Sequence, residues 1–379
     1  MRPVRARGLG IGVGEGTPGP NNAITDVLGV RVGHTTLIEG EGPLVVGRGP
    51  VRTGVTVVMP HDGHIGEEPL FAGCHSLNGN GELTGLEWVR ESGMLTTPIA
   101  LTNTHSVGVV RDALIAAEVR QRGSGSVFWS LPVVGETWDG ALNDINGFHV
   151  KPEHVERALS SASAGPVAEG AVGGGTGMIC HDFKGGIGTA SRVLLPEAGG
   201  FTVGVLVQAN HGRRRRLAVN GAPVGTVVDG AAVPEPHLPE EASPRAGGSI
   251  IVIVATDAPL FPTQCTRLAQ RAGLGIARTG GVGENSSGDL FLAFSTANRG
   301  MPSPEGGEPP LKTTVEILSN THITPLFDAV IEATEEAIVN ALVAAETMIG
   351  RDGVTAHAIP HDLLVEALNR FGLGPQSGS

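Results

Sequence analysis

Apolar positions in the first two-thirds of the chain form short β-branched runs cut by Gly and Pro; later they spread out at helical spacing. Val30-Arg31-Val32-Gly33-His34 and Gly54-Val55-Thr56-Val57-Val58-Met59-Pro60 predict strands, because β-branched side chains suit a pleated backbone and Gly and Pro end it. In residues 107–120, Ala, Leu, Ile and Val recur on one face of a 3.6-residue period and predict a helix. Residues 155–164 predict a shorter helix, and residues 201–208 a strand. Ser249-Ile250-Ile251-Val252-Ile253-Val254-Ala255-Thr256-Asp257 is the most apolar β-branched run of the chain, and predicts a strand buried on both faces. Helices follow at residues 262–273, from Thr324-Pro325 to Gly350, and at 362–371. The Thr-Pro pair reads as a hydroxyl cap with proline at the first helical position. Strands in both halves with helices to cover them predict a layered α/β protein, and no internal repeat of 20 to 50 residues is visible.

Residues 231–248 read AAVPEPHLPEEASPRAGG, with little to bury, and predict a linker. It ends in Gly247-Gly248-Ser249 and feeds directly into the most apolar strand, an arrangement that makes chemical sense if the chain is cut there. Glycine on the carbonyl side removes side-chain obstruction, so the Ser249 hydroxyl can attack the Gly248 carbonyl and give an ester that water hydrolyses. The freed Ser249 amine, with an ordinary pKa near ~8, can then act as general base for its own hydroxyl. Taken alone, the junction fits an ordinary turn before a strand that begins with serine, and this plainer reading outweighs the catalytic one until other residues join it.

Composition narrows the classes. The chain has 379 residues, 40% hydrophobic and 17% charged, enough for a sizeable core. Its 58 glycines, 3% aromatic residues and lack of tyrosine suit tight turns and close-packed sheets. Lys plus Arg number 26 against 38 Asp plus Glu, a net charge of −12, which argues against a nucleic-acid partner. The run Arg213 to Arg216 is short and isolated and reads as a solvated or subunit-facing strand end. Cys74, Cys180 and Cys265 show no CxxC spacing and read as reduced, mostly buried thiols. Arg2, Arg5 and Arg7 precede a glycine-rich stretch and not an apolar one, a poor signal peptide. No run of about 18 apolar residues is present, so no membrane span and a cytoplasmic location are expected. His61-Asp62-Gly63-His64 has metal-site spacing without a recognisable third ligand, and the glycines around 173–177 and 184–188 lack the order of a phosphate loop. No metal and no cofactor are expected. Asn78, Asn80, Asn103 and His105 read as polar pocket-wall residues.

Several long segments share a pattern. SIIVIVATDAPL after the junction, PGPNNAITDVLGVRVGHTT (18–36), PVVGETWDGALNDINGFHV (132–150), GGGTGMICHDFKGGIGTASR (173–192), GVLVQANHG (204–212) and ENSSGDLFLAFSTAN (284–298) occur in this order. Together they resemble the L-aminopeptidase/D-esterases and β-peptidyl aminopeptidases, the self-processing serine peptidases of the DmpA type, over nearly the whole chain. The resemblance implies a four-layer α/β/β/α sandwich similar in layering to N-terminal-nucleophile hydrolases. It also implies a single domain divided after cleavage into residues 1–248 and 249–379, a homotetramer, and small peptide or aminoacyl amide and ester substrates. By the same resemblance Ser249 is the nucleophile, Ser287 and Asp289 hydrogen-bond around it and its amine, Asn210 donates to the oxyanion, and Glu136 anchors the substrate ammonium. A carboxylate at a cleft suits that last task on its own chemistry. Two departures stand out. Asp289 is one methylene shorter than the glutamate of some relatives, and Trp138 replaces a tyrosine, so an indole N–H or a plain pocket wall stands where a phenol would. Two rival readings are an acyltransferase on the same layered fold, similar to ornithine acetyltransferase, a family with threonine at the cut, and a non-catalytic binding protein that keeps the fold.

Overall fold

A computed structural model of the chain describes residues 4–123, 125, 127–238, 248–303 and 310–374. Residues 239–247 of the expected linker, Gly247 included, lie outside the described residues. In chain order the elements are β1 (Arg31–Glu39), β2 (Val51–Met59), β3 (Leu70–Gly79), α1 (Leu86–Ser92), β4 (Met94–Leu95), β5 (Ile99–Asn103), α2 (Val107–Arg122), β6 (Val133–Thr137) and α3 (Pro152–Ser160). They continue with β7 (Ile179–Cys180), β8 (Phe183–Lys184), β9 (Gly186–Val193), β10 (Thr202–Asn210), β11 (Ser249–Thr256) and α4 (Pro262–Arg278). The last are β12 (Gly288–Ser295), α5 (Thr324–Val343), β13 (Met348–Ile349), β14 (Thr355–Ala356) and α6 (His361–Arg370).

The run from Ser249 becomes β11, near the middle of a six-stranded sheet of order β4-β3-β12-β11-β10-β9. Its side chains alternate between two cores. Ile250, Val252 and Val254 join Leu268, Ala272 and Ile276 of α4 and Leu326, Val330 and Ile338 of α5. Ile251, Ile253 and Ala255 face the other way, onto Val58, Ile99 and Leu101 of the four-stranded sheet β1-β2-β5-β6. That second sheet turns Val55, Val57, Ala100 and Val134 outward under α2 and α3. The order is therefore helices, sheet, sheet, helices, the expected α/β/β/α sandwich. Each fully buried Ile or Val of β11 contributes roughly 1.5–3 kcal/mol, so this strand is firmly held.

Some element ends differ from expectation. The helix from Pro262 does not stop at Gly273; α4 runs on to Arg278. Gly275 serves packing there, since a Cβ would come within 2.6 Å of Thr334 and 2.7 Å of the Ile331 carbonyl on α5. α5 ends at Val343, not Gly350, because Met348 and Ile349 leave to pair with Thr355 and Ala356. Thr324 is its first helical residue and does not cap it; Ile323 holds the cap position without a side-chain bond. The helix expected at 155–164 lies at Pro152–Ser160, with proline in its first turn. No described helix is long and apolar enough to cross a membrane.

Candidate active site

β10 and β11 pair antiparallel with Asn210 opposite Ser249, and β12 runs parallel on the other side with Asp289 opposite Ile250. This register gathers residues far apart in sequence at one end of the sheet. Ser249 is buried, 6% exposed, and its Oγ accepts the Gly288 N–H at 3.2 Å. Beside it the Ser287 hydroxyl donates to Asp289 Oδ1 at 2.6 Å. Burial pushes the Asp289 carboxyl up to about 6, against the pull of the Ser287 hydroxyl and the Ile250 N–H. Asp289 is thus tied to Ser287, while the Ser249 hydroxyl is met by the Gly288 N–H.

Packing alone demands glycine before Ser249. A Cβ on Gly248 would lie 1.6 Å from the Asn210 carbonyl oxygen and 2.6 Å from the His211 Cα, so only a bare backbone passes into β11 there. Two clefts meet at Gly248. The larger, about 590 Å³, is walled by Trp138, Ala141, Ile179 and Asn210; the smaller, about 290 Å³, by Arg216, Glu284, Ser287 and Asp289.

Asn210 is fixed at both ends of its carboxamide. Nδ2 donates to the Trp138 carbonyl at 3.0 Å, and Oδ1 accepts the Ile179 N–H at 2.8 Å. An amide nitrogen carries two hydrogens, so one remains for another acceptor. Trp138 thus meets Asn210 through its main chain, while its ring folds over Gly140 and walls the larger cleft. Glu136, on β6, is 3% exposed; Oε1 accepts the Glu82 N–H at 2.9 Å and Oε2 the Thr104 hydroxyl. Burial raises its pKa, while the Thr104 hydroxyl and the Glu82 N–H oppose the shift. Gly81 separates Glu136 from the nucleophile strand ends. Its Cβ position lies 3.2 Å from Glu136 Oε1 and 3.0 Å from the Gly288 Cα.

Sequence reasoning passed over two features. Lys184 is wholly buried, and its Nζ donates to the carbonyls of Met178 (2.9 Å), Gly185 (3.0 Å) and Gly175 (3.4 Å). Burial pulls the ammonium down to about 7. It pins Met178, next to the Ile179 whose N–H holds Asn210. The signal available was a lysine in an apolar, glycine-rich stretch. The Gly288 N–H, a main-chain donor, leaves no trace in sequence.

Other expectations are corrected or placed. The arginine run is not uniformly solvated. Arg214 is buried over the Phe183 ring at 3.4 Å, whereas Arg213 and Arg216 grip Glu284 at 2.6 and 3.0 Å beside the smaller cleft. His61 and His64 face separate partners, Glu68 O at 2.9 Å and Glu118 at 3.2 Å. Asn78 and Asn80 tie β3 and the residues after it to the carbonyls of Glu284 and Ser286; Asn103 holds Thr53, and His105 stacks on Phe148. Cys74, Cys180 and Cys265 are all buried free thiols.

Known proteins resemble this chain in sequence and in fold. The profile of Peptidase family S58 matches residues 22–356. The β-peptidyl aminopeptidase BapA of Sphingosinicella microcystinivorans is 51% identical over 375 residues, covering 97% of this chain and 92% of that one. A β-aminopeptidase structure from Burkholderia sp. is 57% identical with a TM-score of 0.90, over 97% of this chain and 99% of the other. The L-aminopeptidase D-Ala-esterase/amidase of Ochrobactrum anthropi, described as a prototype serine aminopeptidase with a variant of the Ntn hydrolase fold, is 44% identical with a TM-score of 0.87. That match also covers 97% of this chain and 99% of the other. With a family profile over most of its length and the same layered fold end to end, the chain belongs to Peptidase family S58.

Proposed function

We propose that this protein is a self-processing serine aminopeptidase, releasing amino-terminal residues from small peptides and aminoacyl amides or esters. The observation that carries the reading is the junction itself. Ser249 opens a rigid, doubly buried strand, with Asn210 across from it and Ser287, Gly288 and Asp289 alongside. In processing, Ser249 Oγ attacks the Gly248 carbonyl, the Gly248–Ser249 C–N bond breaks, and water hydrolyses the ester. The products are residues 1–248 and 249–379, interlocked in one domain. The new amine then takes the Ser249 hydroxyl proton as Oγ attacks a substrate carbonyl, and passes it to the leaving amine or alcohol; water then hydrolyses the acyl ester, releasing the amino-terminal residue and restoring the hydroxyl. Asn210 donates to the oxyanion, Asp289 and Ser287 orient the amine, and Trp138 walls the acyl side. The S58 relatives named for β-peptides support β-amino acids as acceptable amino-terminal residues, and four copies are the expected assembly.

Glu136 sets the polarity of the substrate. Its buried carboxylate, bonded to Glu82 N–H and Thr104, is suited to receive an ammonium group, which would restore the charge that burial disfavours. Acetylating that amine strands the carboxylate against a neutral amide and costs roughly 2–5 kcal/mol. Acetylated aminoacyl p-nitroanilides are therefore expected to react at least ~30-fold more slowly than free ones. Glu136→Gln should erase most of that discrimination while Ser249 still reacts with small serine-directed inhibitors. Equal rates on free and acetylated amides would identify a general amidase or acylase and end the aminopeptidase reading.

A further inference from the structure

Directly behind Asn210 three metal-type donors converge that the proposed chemistry does not use. Cys180 ends β7, His181 begins the turn to β8, and His211 follows Asn210 off the end of β10. One ligand atom from each lies within 4.8 Å of the other two, and all three residues are buried. Cys180 Sγ stands 3.9 Å from His211 Nδ1, and the two imidazole rings meet edge-on at 5.2 Å between centroids.

The tautomer of His181 is set by its surroundings. His181 Nδ1 lies 3.2 Å from the Arg213 carbonyl oxygen, which can only accept, so Nδ1 carries the hydrogen and Nε2 keeps its lone pair. Neither that Nε2 nor the Nε2 of His211 has a hydrogen-bond partner among the described residues, a costly state for buried nitrogens. An imidazole with one N–H fixed by a carbonyl and the other nitrogen bare is the arrangement that metal-bound histidines adopt. The ring of His181 is also locked in place. The residue has φ 49°, and a Cβ on Gly212 would come within 2.4 Å of its Cε1.

The geometry points to a zinc site formed by Cys180, His181 and His211, whose occupation lowers catalytic activity by disturbing Asn210. Thiolate and imidazole are both zinc ligands, and His211 lines both clefts, from which water can take the fourth position. On binding, the aquated zinc ion sheds all but one of its waters, the Cys180 S–H bond breaks and its proton passes to solvent, one S–Zn and two N–Zn bonds form, and no electron is transferred. Ordinary metal–ligand lengths place tetrahedral donors roughly 3.5 Å apart, so the cluster must close by about 1 Å. That closure pulls on both fixings of the carboxamide. His211 is the residue after Asn210, and Ile179, whose N–H holds Asn210 Oδ1, is the residue before Cys180.

Cobalt(II) titration of the purified full-length protein tests the site, with zinc as competitor and EDTA as reversal. A thiolate-to-cobalt charge-transfer band with tetrahedral d–d bands is expected, saturating at one equivalent and displaced by zinc. Zinc should lower kcat at least ~10-fold with KM little changed, and EDTA should restore it. Cys180→Ala, and separately His181→Asn, which keeps a residue tolerant of the left-handed backbone, should lose both absorption and zinc sensitivity while retaining metal-free activity. No thiolate–cobalt absorption, or absorption undiminished in both variants, overturns the site. Normal binding without inhibition overturns the coupling to Asn210. Only the activity arm rests on the aminopeptidase reading; the absorption does not, so the two failures are distinguishable.

Discussion

Ser249→Ala is expected to stay a single uncut chain without peptidase activity, whereas the unaltered protein yields a fragment whose first residue is Ser249. In the proposed mechanism the substitution removes both the nucleophile of self-cleavage and that of turnover, and losing a nucleophile costs on the scale of ~10⁶ in kcat. It should not unfold the protein. The hydroxyl's hydrogen-bond partner is the Gly288 N–H, and losing one such bond costs about 1 kcal/mol. The remainder of β11 is still packed between two cores by Ile250 to Ala255. The two functions therefore separate from folding, and a circular dichroism spectrum matching the parent is part of the expected result. Mass spectrometry of both proteins reads the outcome. A Ser249→Ala chain cut normally would mean that another protease acts on the linker, and self-processing would be abandoned. An uncut parent with full activity would equally remove the need for a freed amine.

The layering was legible because β11 and its covering helices carry it in their hydrophobic pattern. A β-branched run with no polar interruption has few uses other than a strand buried on both faces, and Ile250 to Ala255 alternate between the two cores as that requires. Among the strands that sequence pattern did not announce are β3, β6, β9 and β12. Each includes glycine or a polar residue, such as Asn78, Glu136, Ser191 or Asp289, that disrupts a simple apolar alternation. At the candidate site, Ser249, Asn210, Glu136, Ser287 and Asp289 could be picked out because they sit in long motifs with family order. What no spacing reveals is register. That Asn210 meets Ser249 across a ladder, and that the Gly288 N–H reaches the hydroxyl, follow only once strands are paired. Lys184 escaped for another reason. Its charge is answered by main-chain carbonyls, so no acidic partner in the sequence marks it as buried. Cys180 and His211 stand 31 positions apart and meet only because the β7–β8 turn folds against the end of β10.

Asn210→Ala is expected to lower kcat by ~10² to 10³ while leaving KM nearly unchanged, the signature of a donor used mainly in the transition state. The carboxamide is held in advance. Its oxygen is taken by the Ile179 N–H and one amide hydrogen by the Trp138 carbonyl, so one amide hydrogen is left, in the proposed role, for the negative charge that develops on a carbonyl oxygen beside Ser249. Because the proposed self-cleavage would pass through a similar oxyanion at the Gly248 carbonyl, maturation should slow as well. Titration with a serine-directed inhibitor then normalises kcat to the cut fraction. Alanine also strands the Ile179 N–H and the Trp138 carbonyl, so a loss could in principle reflect a displaced loop. Asn210→Asp separates the causes. It keeps an oxygen for Ile179 but removes the donor, and it places a carboxylate near the Trp138 carbonyl. If donation to the oxyanion is the role, aspartate should be at least as damaging to kcat as alanine. An aspartate variant much more active than the alanine one would make Asn210 a structural tie, and wild-type kcat in both would remove it from the site.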